Sequence, residues 1–246
     1  MSSNRIGEEE WRLRQELADC YRLFARLGWG EAIFNHITLR VPGPERHYLI
    51  NPFGLMYEEV TPENLVKIDL DGAPVGASEH PVNPAGFIIH GAIHRAREDA
   101  HCIMHVHTTA GVAVACKRDG LSHDNFYGAM FEGRVAYHDF EGISVHPEEQ
   151  PRLVRSLGDK DVLILRNHGL LVLGEDLPHA FRWLWSLQRA CEVQCQAGAL
   201  AGADIPIADE VRRASTRDAR DFAAGTTARL MFDAMVRRMR AERGNA

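Results

Sequence analysis

His105-Val106-His107 closes a short apolar run, Cys102–Val106, that reads as a buried strand. Residues two apart in a strand share a face, so the two imidazoles can be presented to one point while Cys102, Met104 and Val106 turn into the core. His168 stands in Arg166-Asn167-His168-Gly169, between the apolar runs Val162–Leu165 and Leu170–Leu173, at a turn that Gly169 permits. It can supply a third nitrogen. Three neutral imidazoles leave coordination positions open, as a catalytic ion requires, whereas a structural zinc usually takes four protein ligands. With 13 histidines in the chain some are neighbours by chance. His101 reads as the solvent-facing start of the strand, His123 and His146 as polar-loop residues, and His179 as a residue of a helix start. His36 and His90 carry more weight, because each is close to a candidate site segment.

These side chains need elements to hold them. From Glu8 to Leu27, apolar residues at Trp11, Leu13, Leu17, Cys20, Tyr21, Phe24 and Leu27 recur at helical spacing, and Gly28 stops the helix. Short β-type runs follow at Ile37–Val41, Tyr48–Ile50 and Leu65–Leu70, punctuated by Pro and Gly. Thr61-Pro62 begins a brief helical turn. Helices are expected over Pro84–Arg97 and Thr108–Cys116, the latter capped by Thr108-Thr109. After a loop around Asp124–Glu132 come the two strands flanking His168, and Asp176 caps a long helix with its stripe at Leu177, Ala180, Phe181, Leu184, Leu187, Cys191 and Cys195. The tail from Pro206 is Arg- and Ala-rich and helical towards Phe232–Met239, an arm against a neighbouring subunit. The expected organisation is one domain over residues 1–205 and a helical arm over 206–246.

Composition limits the function. The formal charge of −6, from 28 basic and 34 acidic residues, leaves no electrostatic footprint for nucleic acid or an anionic membrane. The opening MSSNRIGEEEW lacks the apolar core of a signal peptide, and no run approaches the roughly 18 apolar residues of a membrane span, so a cytoplasmic protein acting on small molecules is expected. Five cysteines, with no Cys-x-x-Cys pair, are expected as reduced thiols in the core.

The chain resembles the class II aldolase/adducin family through Asn35-His36-Ile37-Thr38, Ile50-Asn51-Pro52-Phe53-Gly54, His105-Val106-His107-Thr108 and Asn167-His168-Gly169-Leu170. The likeness runs from about Leu17 to about Gly202. Val82-Asn83-Pro84-Ala85-Gly86-Phe87, Arg134-Val135-Ala136-Tyr137-His138-Asp139 and Arg189-Ala190-Cys191-Glu192-Val193-Gln194 are most similar to the adducin-like branch. The resemblance implies an α/β fold with a central, mainly antiparallel sheet flanked by helices. It also implies one divalent metal ion per subunit on His105, His107 and His168, with zinc foremost and manganese, cobalt or iron open, in a homotetramer with sites at subunit interfaces.

Departures from the family pattern redirect the chemistry. Its sugar-phosphate aldolases carry Ser-Ser-Glu where this chain has Pro84-Ala85-Gly86, so the catalytic carboxylate and two phosphate-binding hydroxyls are missing, and Phe53 replaces a small hydroxyl residue. Asn35 and Gly54 remain. A phosphate dianion needs several charge-assisted hydrogen bonds, so a non-phosphorylated substrate is expected, contacted by Asn35, Phe53, Gly54 and Gly86. Aromatic surroundings at Phe53, Phe87, Phe126 and Tyr127 would suit a hydroxy or keto acid with an apolar part, although Phe87 reads best as core. Proton transfer falls to metal-bound water, then Tyr127, then His138, with Glu79 or Glu132 as displaced carboxylates. The leading expectation is a metal-dependent carbon–carbon lyase, retro-aldol or decarboxylating. The alternatives are a non-haem iron oxygenase on an aromatic hydroxy acid and a non-enzymatic, adducin-like interaction protein.

Overall fold

The computed structural model describes residues 6–224 and 226–244; residues 1–5, part of the N-terminal stretch read above, and residues 245–246 at the end of the arm lie outside the described residues. A seven-stranded sheet organises the chain. Its strands are β1 (His36–Arg40), β2 (Tyr48–Ile50), β3 (Val66–Ile68), β4 (Cys102–Val106), β5 (Val135–His138), β6 (Val162–Leu165) and β7 (Gly169–Gly174). They lie in the order β3-β2-β1-β4-β7-β6-β5, every pair antiparallel except β5 and β6.

The alternation of β4 divides the layers. Cys102, Met104 and Val106 enter the larger core under helices α1 (Glu8–Leu27) and α5 (Leu177–Gly198), together with Leu17, Tyr21, Phe24, Phe181, Leu184 and Leu187. Each such side chain contributes about 1.5–3 kcal/mol when fully buried. Ile103, on the opposite face, joins Leu163, Leu165, Leu171 and Leu173 beneath α2 (residues 84–96) and α4 (Gln150–Leu157). Helix α2 runs in three pieces, Pro84–Gly86, a π-helical Phe87–Gly91 and Ala92–Ala96. A π segment inserts extra backbone into one turn and so changes which residues face the sheet. Helix α3 (Thr109–Ala115) follows β4 directly.

The expected elements appear with several corrections. The third strand is shorter than Leu65–Leu70. Thr108 is the N-cap of α3 but its hydroxyl donates to Gln188 Oε1 at 2.5 Å instead of capping the helix. Asp176 does cap α5, accepting the His179 N–H at 2.8 Å. Strand β5 and helix α4 were not expected as elements, and the segment expected as an arm contains two helices, α6 (Asp209–Ala223) and α7 (Thr227–Gly244), the second of which places Phe232, Val236 and Met239 in the larger core. Not all cysteines are core residues: Cys20, Cys102 and Cys191 are buried, but Cys116 is exposed and Cys195 half-buried. Among the described residues no helix is long and apolar enough to cross a membrane.

A hydroxyl from α1 ties the sheet to the loop after β2. Tyr21 Oη, fully buried, accepts the backbone N–H of Ile37 at 2.9 Å and of Asn51 at 3.2 Å, and donates to the Ile37 carbonyl. Tyr21→Phe strands these groups without opening a cavity, so it is expected to lower unfolding free energy by about 1–3 kcal/mol in urea titrations. A change within error of zero would show that the hydroxyl is not a fastening point.

Candidate metal centre at a strand corner

Strand β4 delivers His105 as its penultimate residue and His107 just beyond its end. The neighbouring strand β7 begins at Gly169, so the β6–β7 turn brings His168 to the same corner. Asn167 takes a left-handed φ of 56° there, a conformation that Asn tolerates better than most residues. Gly169 has no such latitude for a side chain: a Cβ would stand 2.5 Å from Val106 O, 3.1 Å from His107 Cδ2 and 3.2 Å from His105 Cε1. Glycine at this position lets β7 press against the histidines.

One ring nitrogen from each of His105, His107 and His168 can be chosen so that all three lie within 4.8 Å of one another. The ring centroids are 4.6, 4.9 and 4.8 Å apart. His105 Nδ1 donates to the Leu170 carbonyl at 2.9 Å, which leaves the lone pair on Nε2, and that atom is 2.8 Å from His107 Nε2. A backbone carbonyl holding one nitrogen so that the other faces a shared point is the usual support of a metal-binding imidazole. Burial lowers the pKa of all three, His105 well below its ordinary value and His168 to about 4, and the other histidines of the cluster add to the shift on His105 and His168. Glu31 opposes part of the shift at His107. The rings are therefore neutral near pH 7, the form in which imidazole binds a metal, and this donor set fits a borderline divalent ion.

The remaining expected residues are distributed unevenly. His138 ends β5, donates or accepts at Nδ1 with Ser156 Oγ (3.0 Å), and keeps Nε2 3.4 Å from Glu149; its charge would bear on His168. Phe140, exposed, has its ring 6.4 Å from that of His168. Asn35 is buried and donates to the Trp29 carbonyl at 2.9 Å, while its Oδ1 has no hydrogen-bond partner. Phe53 is half-buried and Gly54 exposed at φ 101° in the turn after β2. Gly86 is closed in, because a Cβ would meet Ile50 Cδ1 at 2.8 Å and His36 Cγ at 3.3 Å. Tyr127 packs against its own subunit's main core and stacks edge-on with Phe126, so no contact within the subunit takes it to the three histidines. Phe87, half-buried, packs over Gly72 and Gly91 but belongs to none of the three buried core clusters. Glu79 is exposed, and Glu132 is 3.3 Å from Arg212 Nε.

Sequence reading gave His36 and His90 weight without placing them, and gave Thr38 and His94 no part in the site. His36 lies opposite His105 in the β1–β4 register, with ring centroids 5.1 Å apart. Behind it, His90 and His94 project from α2 and Thr38 from β1, all buried. The i, i+4 spacing of His90 and His94 was a visible signal; the pairing of β1 with β4 was not.

The seven-stranded, mainly antiparallel sheet flanked by helices is the aldolase class II fold. The chain belongs to the family described as Class II Aldolase and Adducin N-terminal domain, whose model matches residues 15–195. It is similar to the crystal structure of an aldolase II superfamily protein from Pseudomonas syringae, with a TM-score of 0.92 and 41% identity over 97% of this chain and 96% of that one. It is also similar to L-fuculose 1-phosphate aldolase from Glaciozyma antarctica PI12, with a TM-score of 0.83 and 29% identity over 97% of this chain and 92% of that one. Alpha-adducin of Rattus norvegicus is 48% identical over 77% of this chain, but the match spans only 26% of that longer protein.

Stability should follow the buried imidazoles. Burial lowers His36 and His94 from 6.5 to about 3. A group whose folded pKa is depressed binds its proton preferentially in the unfolded chain, so metal-free protein should lose stability as pH falls from about 6.5 towards 3. Urea midpoints between pH 7.5 and 5, above the carboxylate range, read this directly. A flat profile there would contradict neutral buried histidines. His94→Gln should make the profile shallower.

Proposed function

We propose that this protein is a metal-dependent carbon–carbon lyase, retro-aldol or decarboxylating, acting on a non-phosphorylated hydroxycarbonyl compound or a keto or hydroxy acid. The observation that carries this reading is the convergence of His105, His107 and His168, with His105 Nε2 and His107 Nε2 2.8 Å apart. These three side chains would hold one divalent ion per subunit, with zinc favoured and manganese, cobalt or iron also compatible with imidazole. When bound, the ion supplies positive charge opposite the oxygen on which negative charge develops as the carbon–carbon bond breaks.

The chain's own residues account for the rest. The Leu170 carbonyl and Gly169 hold His105 and His107 in position. At the start of α2, Pro84 has no N–H, Asn83 Oδ1 accepts the Ala85 N–H at 3.0 Å and the Asn83 carbonyl accepts the Phe87 N–H at 3.2 Å. Three of the backbone positions that could have received a phosphate are thus without a donor or have it occupied, which favours a substrate without one, although the similar Glaciozyma antarctica protein is named for a sugar phosphate. Asn35, Phe53, Gly54 and Gly86 are the proposed substrate-facing residues, and Phe140 offers an apolar wall beside His168. His138 would exchange a proton at Nε2, which lies 3.4 Å from the Glu149 carboxylate. Tyr127 would serve a neighbouring subunit's triad in a homotetramer with interfacial sites.

The 48% identity to alpha-adducin favours a second reading, a domain that engages other proteins and turns over nothing. Activity separates the two. Calorimetric titration of metal-free protein with zinc is expected to give one site per subunit, and His168→Ala is expected to weaken it by at least about tenfold while the thermal unfolding transition persists. Zinc-loaded protein should cleave at least one member of a panel of keto and hydroxy acids faster than it acts on ketose 1-phosphates. Full zinc affinity in His168→Ala would sink the metal centre. Stoichiometric zinc without turnover of any acid, aldehyde or sugar would favour the interaction protein, and oxygen uptake during turnover would favour iron chemistry.

A further inference from the structure

A chain of buried hydrogen bonds runs from the back of the triad through the sheet face to α2. His94 Nδ1 is 3.0 Å from the Ala100 carbonyl, His94 Nε2 is 2.8 Å from Thr38 Oγ1, Thr38 Oγ1 is 2.8 Å from His90 Nδ1, and His90 Nε2 is 3.1 Å from His36 Nδ1. All four side chains are 1% exposed or less. One backbone group sets every proton in this series. A carbonyl can only accept, so His94 Nδ1 carries the hydrogen and its Nε2 carries a lone pair. The Thr38 hydroxyl must then donate to His94 and accept from His90 Nδ1. His90 Nε2 is left as an acceptor, and His36 Nδ1 donates to it.

The last nitrogen in the series is His36 Nε2, which therefore presents a lone pair. No group among the described residues hydrogen-bonds to it, and the His36 ring lies 5.1 Å from that of His105. His36 does not belong to the set of three rings whose nitrogens converge. The space that a side chain at position 86 would need is taken by Ile50 and His36, since a Cβ there would stand 3.3 Å from His36 Cγ. Over Gly86 this chain thus packs an imidazole of fixed tautomer.

We propose that His36 Nε2 is a specificity-determining hydrogen-bond acceptor of the triad site, held in that state by the positioning residues Thr38, His90 and His94, and that it selects substrates bearing a hydroxyl over those bearing an oxo group at the same carbon. This rests on the reading of the triad as the reactive centre. A hydroxyl donates to the fixed lone pair, whereas an oxo oxygen opposes it with a second lone pair. The substrate class is accordingly a hydroxy acid or hydroxycarbonyl compound with a free hydroxyl next to the group held at the triad.

The test has two arms. In the first, metal-free protein labelled with ¹⁵N-histidine is examined by long-range ¹H–¹⁵N correlation, with His36→Gln, His90→Gln and His94→Gln used for assignment. The expected spectrum has His36, His90 and His94 all protonated at Nδ1 only; a hydrogen on His36 Nε2 overturns the inference. In the second, racemic lactate and pyruvate are titrated into zinc-loaded protein. Lactate is expected to bind at least about tenfold more tightly, the equivalent of one good hydrogen bond. Thr38→Val breaks the series at its centre, frees His36 to take either tautomer and should bring the ratio close to one with zinc affinity unchanged, whereas Thr38→Ser should restore it. Equal binding of the two acids by the unaltered protein, or an unchanged ratio in folded Thr38→Val, overturns the inference. Because the tautomers are read without metal, failure of zinc to bind would count against the proposed metal centre alone, and a wrong His36 tautomer against this inference alone. If Thr38→Val does not fold, the tautomer arm still decides.

Discussion

The pairing of β4 with β7 is the constraint on which the site depends. Its register sets His105 against Leu171 and Val106 against Leu170, bringing the Leu170 carbonyl within 2.9 Å of His105 Nδ1 and Gly169 against the backbone of Val106. A shift of one residue would turn His105 into the core and Met104 to the site, because side chains alternate across the sheet. Nothing in the three histidines themselves prevents that shift. It is opposed by the apolar faces on either side, with Cys102, Met104 and Val106 in one core and Ile103, Leu171 and Leu173 in the other. The site geometry is thus stabilised by burial that takes no part in the chemistry.

The second strand beside β4 extends the same logic. β1 lies antiparallel to it and sets His36 opposite His105 and Thr38 opposite Ile103, while the Tyr21 hydroxyl secures β1 at Ile37. Four buried polar side chains on one sheet face would be costly if any were unsatisfied. Here each is bonded to the next, the series ends on the Ala100 carbonyl, and at its other end His36 Nε2 is left open. The π-helical stretch containing His90 lies where α2 meets this series, in keeping with the tendency of such segments to mark functional sites.

Much of the triad was legible because strand alternation is local. The apolar–histidine alternation from Cys102 to His107 set the face of each residue before any tertiary contact was known, and the apolar runs flanking Asn167-His168-Gly169 defined a corner. Helices α1 and α5 were equally plain from long periodic stripes with a Gly stop and an Asp cap. Strand β5 was not read although its burial alternates along Val135–His138, because its buried residues, Ala136 and His138, include no large apolar side chain. The series from His36 to His94 was hidden for a different reason: it depends on which strand pairs with which and on the unusual turn of α2, neither of which sequence spacing encodes. Gly86 shows the limit of reading a position by what it lacks. The departure at Pro84-Ala85-Gly86 was visible, but the packing of His36 over the glycine was not.

The central claim is that three imidazoles hold a single ion at this corner. X-ray absorption at the zinc edge of protein loaded with one equivalent of metal addresses it most directly, because multiple scattering within the rings counts bound imidazoles. The account predicts three histidine rings on zinc in the unaltered protein and two in His107→Ala. A spectrum dominated by oxygen, by sulfur, or by fewer than three imidazoles in the unaltered protein would contradict it.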